Sequence, residues 1–115
     1  MNMVPSARSS IEELVTAKWG IAILRTLLAG PARFSGLREA IPGVSANILA
    51  ARLRLYEQAG LVERVRLPEP ADRQVYRLTP RGAGSRGVID AISDWSAEWD
   101  RCGDVPVGPR PPARP

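Results

Sequence analysis

The side chains with the most to offer chemically in this sequence are arginines. All sixteen basic residues but Lys18 are arginine. A guanidinium is always charged and carries a planar fork of donors that matches a phosphate or the edge of guanine. The groups that would turn such charge toward catalysis are missing. Histidine, the commonest general base and transition-metal ligand, does not occur. The one cysteine, Cys102, allows neither an internal disulfide nor a cysteine-cluster zinc site. An enzyme would need a site of Asp, Glu, Tyr and Arg, and no such constellation is visible. No catalytic residue, metal ligand or cofactor is expected.

The charges are unevenly placed. Residues 18–81 hold eleven basic and five acidic residues, a net +6, while residues 9–17 and 82–101 each carry a net −2. A basic middle between acidic flanks is expected if the middle meets a polyanion and the flanks do something else. Chain length suits one modest core, and a hydrophobic content of 44 % with 24 % charged residues suits a soluble globular domain. No apolar run is long enough to span a bilayer, and the start MNMVPSARSS has no signal-peptide stretch, so a cytoplasmic protein without membrane contact is expected.

The elements that must position the arginines can be read from caps and periodicity. Residues 1–8 lack a pattern and are expected to fray. Ser10 and Glu13 have capping-box spacing and start a first helix. Trp19–Leu28 is apolar on most sides and forms a central second helix, ended by Gly30-Pro31. Ser35 is expected to cap a short third helix, GLREAI, with Leu37 and Ile41 inward. Pro42-Gly43 forces a turn. Ser45 caps a fourth helix, residues 46–59, with Val44 and Leu49 placed for a hydrophobic staple and Gly60 for a left-handed C-cap. Residues 61–67 and 75–79 alternate as two antiparallel strands around a Pro-rich loop. Thr79 with Pro80 starts one last helix bearing Val88, Ile92, Trp95 and Trp99 as an apolar stripe. From residue 102 the chain is a Pro-rich tail expected to be disordered. The expected fold is mainly α with a small β-hairpin: a helix-turn-helix followed by a wing, spanning residues 9–101.

With that order of elements, the sequence resembles the HxlR-type winged-helix regulators, relatives of the MarR group. The residues that carry the likeness are Lys18-Trp19, the run from Arg33 to Ser45, Leu49, Arg52 to Arg54, and Gly60 to Val62. Tyr76, Leu78-Thr79, Gly82 and Trp95 complete it. The resemblance implies a homodimer that binds operator DNA and regulates transcription, with an effector of unspecified chemistry as a further partner. Many members carry a cysteine before the first helix; SARSS stands there in this chain, which removes thiol sensing at that place. Asn47 and Ala50 replace the usual Lys and Thr, and the PADRQ wing is closer to the Asp-x-Arg wing of the MarR group.

A helix turns about 100° per residue, so Leu49, Leu53 and Tyr56 face the core and Asn47, Ala50, Ala51 and Arg54 face away. Asparagine pairs with adenine edges and arginine with guanine, whereas alanine offers close approach to a thymine methyl. Arg33 and Arg38 either hold phosphates or are ordinary surface charge. Arg52 either reaches a phosphate or lays its stem over the core. Arg66, Arg73 and Arg77 surround the wing, with Arg73 the candidate for minor-groove insertion and Asp72 a brace. Ser35, Ser45 and Ala46, at the helix starts, complete the candidate DNA-contact set. Ile11, Leu14, Val88, Ile92, Trp95 and Trp99 are the candidate dimerisation residues. The three tryptophans could otherwise form an aromatic ligand cage, and Cys102 a sensor thiol. The alternative function is a winged-helix protein-interaction module without DNA, which predicts arginines scattered over the surface.

Overall fold

The computed structural model describes residues 10–102; the fraying and disorder expected of the two ends fall outside the described residues, except that Cys102 ends the last helix. The capping box forms as expected: the Glu13 amide donates to Ser10 Oγ at 3.1 Å and the Ser10 amide to Glu13 Oε1 at 3.2 Å. It starts α1, Ile11–Thr16. Helix α2, Gly20–Leu28, begins one residue later than the apolar run suggests, because Trp19 has a left-handed backbone with φ of 77°. That conformation costs a bulky L residue about 1–3 kcal/mol. It turns the Trp19 ring onto the core and over Lys18, whose Nζ lies 5.2 Å from its centre. Gly20 follows for want of room. A Cβ there would come within 2.6–2.8 Å of the Val15 and Leu14 carbonyl oxygens and the Tyr56 hydroxyl.

Helix α3 is Phe34–Ala40, capped by Arg33 and not by Ser35. Ser35 is an exposed residue of its first turn. The early start has a long-range cause. Ala32 and Tyr76 exchange two backbone hydrogen bonds, 3.0 and 2.8 Å, which hold the chain extended up to Arg33. Helix α4, Ala46–Gln58, has both expected ends: Ser45 Oγ accepts from the Ile48 amide at 3.1 Å, and the Leu61 amide donates to the Tyr56 carbonyl across left-handed Gly60. Val44 and Leu49 are both buried in one cluster, as a staple requires.

Strands β1, Val62–Arg66, and β2, Gln74–Leu78, pair antiparallel with Val62 opposite Leu78 and Arg66 opposite Gln74. The single last helix of the sequence reading is two. Helix α5, Pro80–Ala83, is capped by Thr79, and α6 runs from Arg86 to Cys102. The break at Gly84-Ser85 frees α6 to lie on α2. It is held there by fully buried Ile89, by Arg25 Nε donating to Ser93 Oγ at 3.0 Å, and by Arg86 donating to the Leu28 carbonyl at 3.1 Å.

The core joins Ile23 and Leu27 of α2, Leu37 of α3, Leu49, Leu53 and Tyr56 of α4, and Leu61 and Val62 beside the wing. Leu14 belongs to it as well, at 7 % exposure. Leu14 therefore does not join the candidate dimerisation residues at the surface, because it fills the chain's own interior. Tyr56 is the polar tie of this core: its hydroxyl donates to the Leu14 carbonyl at 2.9 Å. Burial pushes its pKa above the ordinary value, with nearby Arg52 pulling the other way.

Candidate nucleic-acid interface

The parts that position the candidate contacts form one rigid assembly. The turn between α3 and α4 contains Gly43 at φ of 93°, and a Cβ there would stand 3.3 Å from the Trp19 ring. Trp19 thus packs beneath the turn, while Trp95 and Trp99 lie exposed on α6, so the three do not make one cage. The Ala32–Tyr76 bridge adds a short third strand segment beside β2, tying the start of α3 to the wing. Arg33 leaves this junction directly.

Along α4, Asn47, Ala51 and Arg54 are exposed, while Ala46 and Ala50 are half-buried. Ala50 thus stands on a shoulder and Ala51 at the centre of the outward face. The sequence reading passed over Ile48, which is 41 % exposed on the opposite shoulder together with Leu55. At about 100° per residue it falls well away from neighbouring Leu49, which turns fully inward. Wheel arithmetic could have found it. An exposed isoleucine in the first turn is suited to the apolar contact that a thymine methyl offers.

The arginines divide into two groups. Arg52 points inward: it is half-buried and its Nε donates to the Lys18 carbonyl at 3.1 Å, bracing α4 on the α1–α2 connection. Arg66 pairs with Asp72 at 3.1 Å, Arg77 with Glu63 at 2.8 Å, and Arg64 with Glu57 at 2.7 Å. Glu63 and Arg77 face each other across the hairpin, so their pairing follows from register. Such exposed pairs contribute roughly 0–1 kcal/mol each, and a phosphate can displace the carboxylate. Asp72, left-handed at φ of 40°, does brace the wing tip. Arg33, Arg38, Arg54 and Arg73 are exposed and form no ion pair among the described residues. Ser35 and Ser45 are exposed too, although the Ser45 hydroxyl already serves as a cap. These four arginines sit at the start and end of α3, on the outward face of α4 and at the wing tip.

A helix-turn-helix tied to a two-stranded wing is a winged helix, and transcriptional regulators are among the solved structures that share this fold. The sequence matches the HxlR-like helix-turn-helix family over residues 14–103. The chain belongs to that family, which is one of transcriptional regulators and not of enzymes. It is 34 % identical over 103 residues to the HTH-type transcriptional regulator YodB of Bacillus subtilis, covering 90 % of this chain and 91 % of YodB. The reduced form of YodB superposes with a TM-score of 0.69 at 33 % identity, over 89 % of this chain and all of that one. A transcriptional regulator, YtfH of Salmonella typhimurium, superposes with a TM-score of 0.66 at 38 % identity, over 76 % and 79 % of the two chains. No helix among the described residues is long and apolar enough to cross a membrane.

Proposed function

We propose that this regulator works in the cytoplasm as a homodimer on a two-fold related operator in duplex DNA, with α4 in the major groove and the wing over an adjacent minor groove. The observation that carries the reading is the outward face of α4. Asn47, Ala51 and Arg54 are exposed there, and Arg33, Arg38 and Arg73 are exposed without ion pairs among the described residues on α3 and the wing, which the Ala32–Tyr76 bridge joins. The flanking cations, Arg33, Arg38 and Arg73, supply phosphate contacts that set the helix in place; Asn47, Arg54 and Ile48 supply the base contacts. Arg66 and Arg77 join them by exchanging their carboxylate partners for phosphate. The protein represses or activates according to where the operator lies relative to a promoter.

The dimer reading rests on the other end of the molecule. Ile11, Val88, Trp95 and Trp99 are 50, 56, 65 and 40 % exposed. Large apolar side chains grouped on one face mark an interaction surface. The acidic balance of the terminal helices keeps that face away from DNA. YodB has also been solved bound to quinone, and from that likeness we infer a small-molecule effector for this chain.

Selection of bound duplexes from a random pool tests the function. The expected result is a motif of two inverted half-sites about 34–36 Å, or a multiple, apart. A pool with no enriched motif overturns the reading in favour of a protein-interaction module.

A further inference from the structure

The apolar stripe of α6, exposed at Val88, Trp95 and Trp99 and half-buried at Ile92, has a self-complementary order. Its members are Val88, Ile92, Trp95 and Trp99, at spacings of four, three and four residues. That order is symmetric about the midpoint between Ser93 and Asp94. Two α6 helices laid antiparallel across a two-fold axis at this midpoint bring Val88 of one copy opposite Trp99 of the other, and Ile92 opposite Trp95. Each contact then joins a small side chain to a large one, the condition for layers that interdigitate without voids. A parallel pair would set tryptophan against tryptophan at one end and valine against valine at the other. It would also bring together two C-terminal halves that each carry Asp94, Glu98 and Asp100 against one Arg101. The antiparallel pair separates those halves and opposes the helix dipoles.

A second feature independently fits the same register. Val88 is one wall of a mostly apolar groove of about 520 Å³ between α1, α2, α5 and the start of α6, lined also by Ile11, Val15, Leu24 and Leu61, together with Glu12 and Arg81. A side chain brought opposite Val88 arrives at this groove. Its volume lies within the range of cavities that bury small ligands, ample for one indole. The Asp100 next to an incoming Trp99 would meet both Arg81 and Glu12, so apolar area and size, rather than charge, favour this seat. Conversely, a smaller cleft of about 300 Å³ lies against Trp95, Ser96, Trp99 and Asp100, and takes the lesser side chains, Val88 and Ile92, of the other copy.

We infer that a second copy of this chain docks with its α6 antiparallel and its Trp99 seated in the groove beside Val88. The inference rests on the dimer proposed above and adds its register and its anchor. Ile11, which lies on a different helix, then belongs to the interface because it lines the seat of the tryptophan.

The test uses unaltered protein. Copies carrying isotopically labelled valine and isoleucine are mixed with unlabelled copies, and contacts between copies are read by filtered nuclear Overhauser spectra, with sedimentation on the same sample. Val88 methyl signals correlated with the Trp99 indole of the other copy, and Ile92 with Trp95, are expected. A sample that sediments as a dimer without these contacts, or in which the rings touch only their own chain or its residues 103–115, overturns the register and leaves the dimer standing. A monomer overturns both. A size exchange gives a second reading. Val88→Trp or Trp99→Val alone should weaken dimerisation more than about tenfold, while both in one chain restore it to within about tenfold. A double variant no better than the weaker single one overturns the pairing.

Discussion

Two surfaces of this molecule carry its unmatched side chains, and they are opposite in kind. Around α3, α4 and the wing the exposed groups are mostly small, polar or cationic, Asn47, Ala51, Arg54, Arg33 and Arg73, with Ile48 and Leu55 the apolar exceptions. Along α1 and α6 they are large and apolar, flanked by acids. The first surface offers donors with little area, which suits a ligand that supplies charge. The second offers area with few donors, which suits a partner that supplies the same. A short chain can thus carry two surfaces of different chemistry by assigning each to different helices. Both surfaces are joined through Tyr56 and Arg52, which tie α4 to Leu14 and Lys18 beside α1.

That joint is where the comparison breaks most severely. Gly20→Ala would drive a Cβ into the Leu14 and Val15 carbonyls and the Tyr56 hydroxyl. A loss of about 2–3 kcal/mol of stability is expected from such overpacking, visible as a lowered denaturation midpoint and as weakening of DNA binding and dimerisation together. Substitutions at the surfaces should instead separate the two functions. Asn47→Ala should cost about 1–3 kcal/mol on the preferred duplex and relax its sequence, with the sedimentation profile unchanged. Trp95→Ala, in turn, should weaken the dimer by about 2 kcal/mol, the scale of a buried aromatic anchor, and leave the preferred half-site the same. Loss of sequence preference in the tryptophan variant would join what the account keeps separate.

A smaller effect is expected at the joint itself from Tyr56→Phe. Removing the hydroxyl leaves the Leu14 carbonyl without that donor, at about 1 kcal/mol. The pH dependence has a definite sign. Burial raises the Tyr56 pKa in the folded chain, so the unfolded chain loses the phenolic proton first. Stability is undiminished below about pH 10 and falls as pH rises from there toward the folded-state value. Tyr56→Phe should flatten that alkaline loss in a series of unfolding midpoints against pH.

Helix α4 was legible from sequence at both ends because its cap, staple and C-terminal glycine are local signals. The start of α3 was not, since the hydrogen bonds that move it from Ser35 to Arg33 join Ala32 to a residue in the wing. The split of the last helix was also hidden. Gly82 is buried against Leu61, and that contact fixes α5 before the chain turns into α6. In the site, the second helix of the helix-turn-helix and the wing could be read, along with Arg54 and Arg73 as outward cations. The partners of Arg52, Arg66 and Arg77 could not, because they depend on distant packing and on strand register. Leu14 and Ile89 show the same limit on the apolar side. Periodicity marks a residue as one that should be covered, but only packing tells whether its own chain or another does so.

The exposed arginines of α3, α4 and the wing are expected to bind the DNA backbone, and the dependence of affinity on salt measures that contact. Affinity for the selected duplex is measured by fluorescence titration over a range of salt concentrations, for the wild type and for Arg73→Ala. Each neutralised phosphate contributes about 0.9 to the slope of log affinity against log salt. The expected result is a steep wild-type slope equal to several phosphates, made shallower by about 0.9 in the Arg73→Ala protein. A wild-type affinity that barely changes with salt would contradict the account.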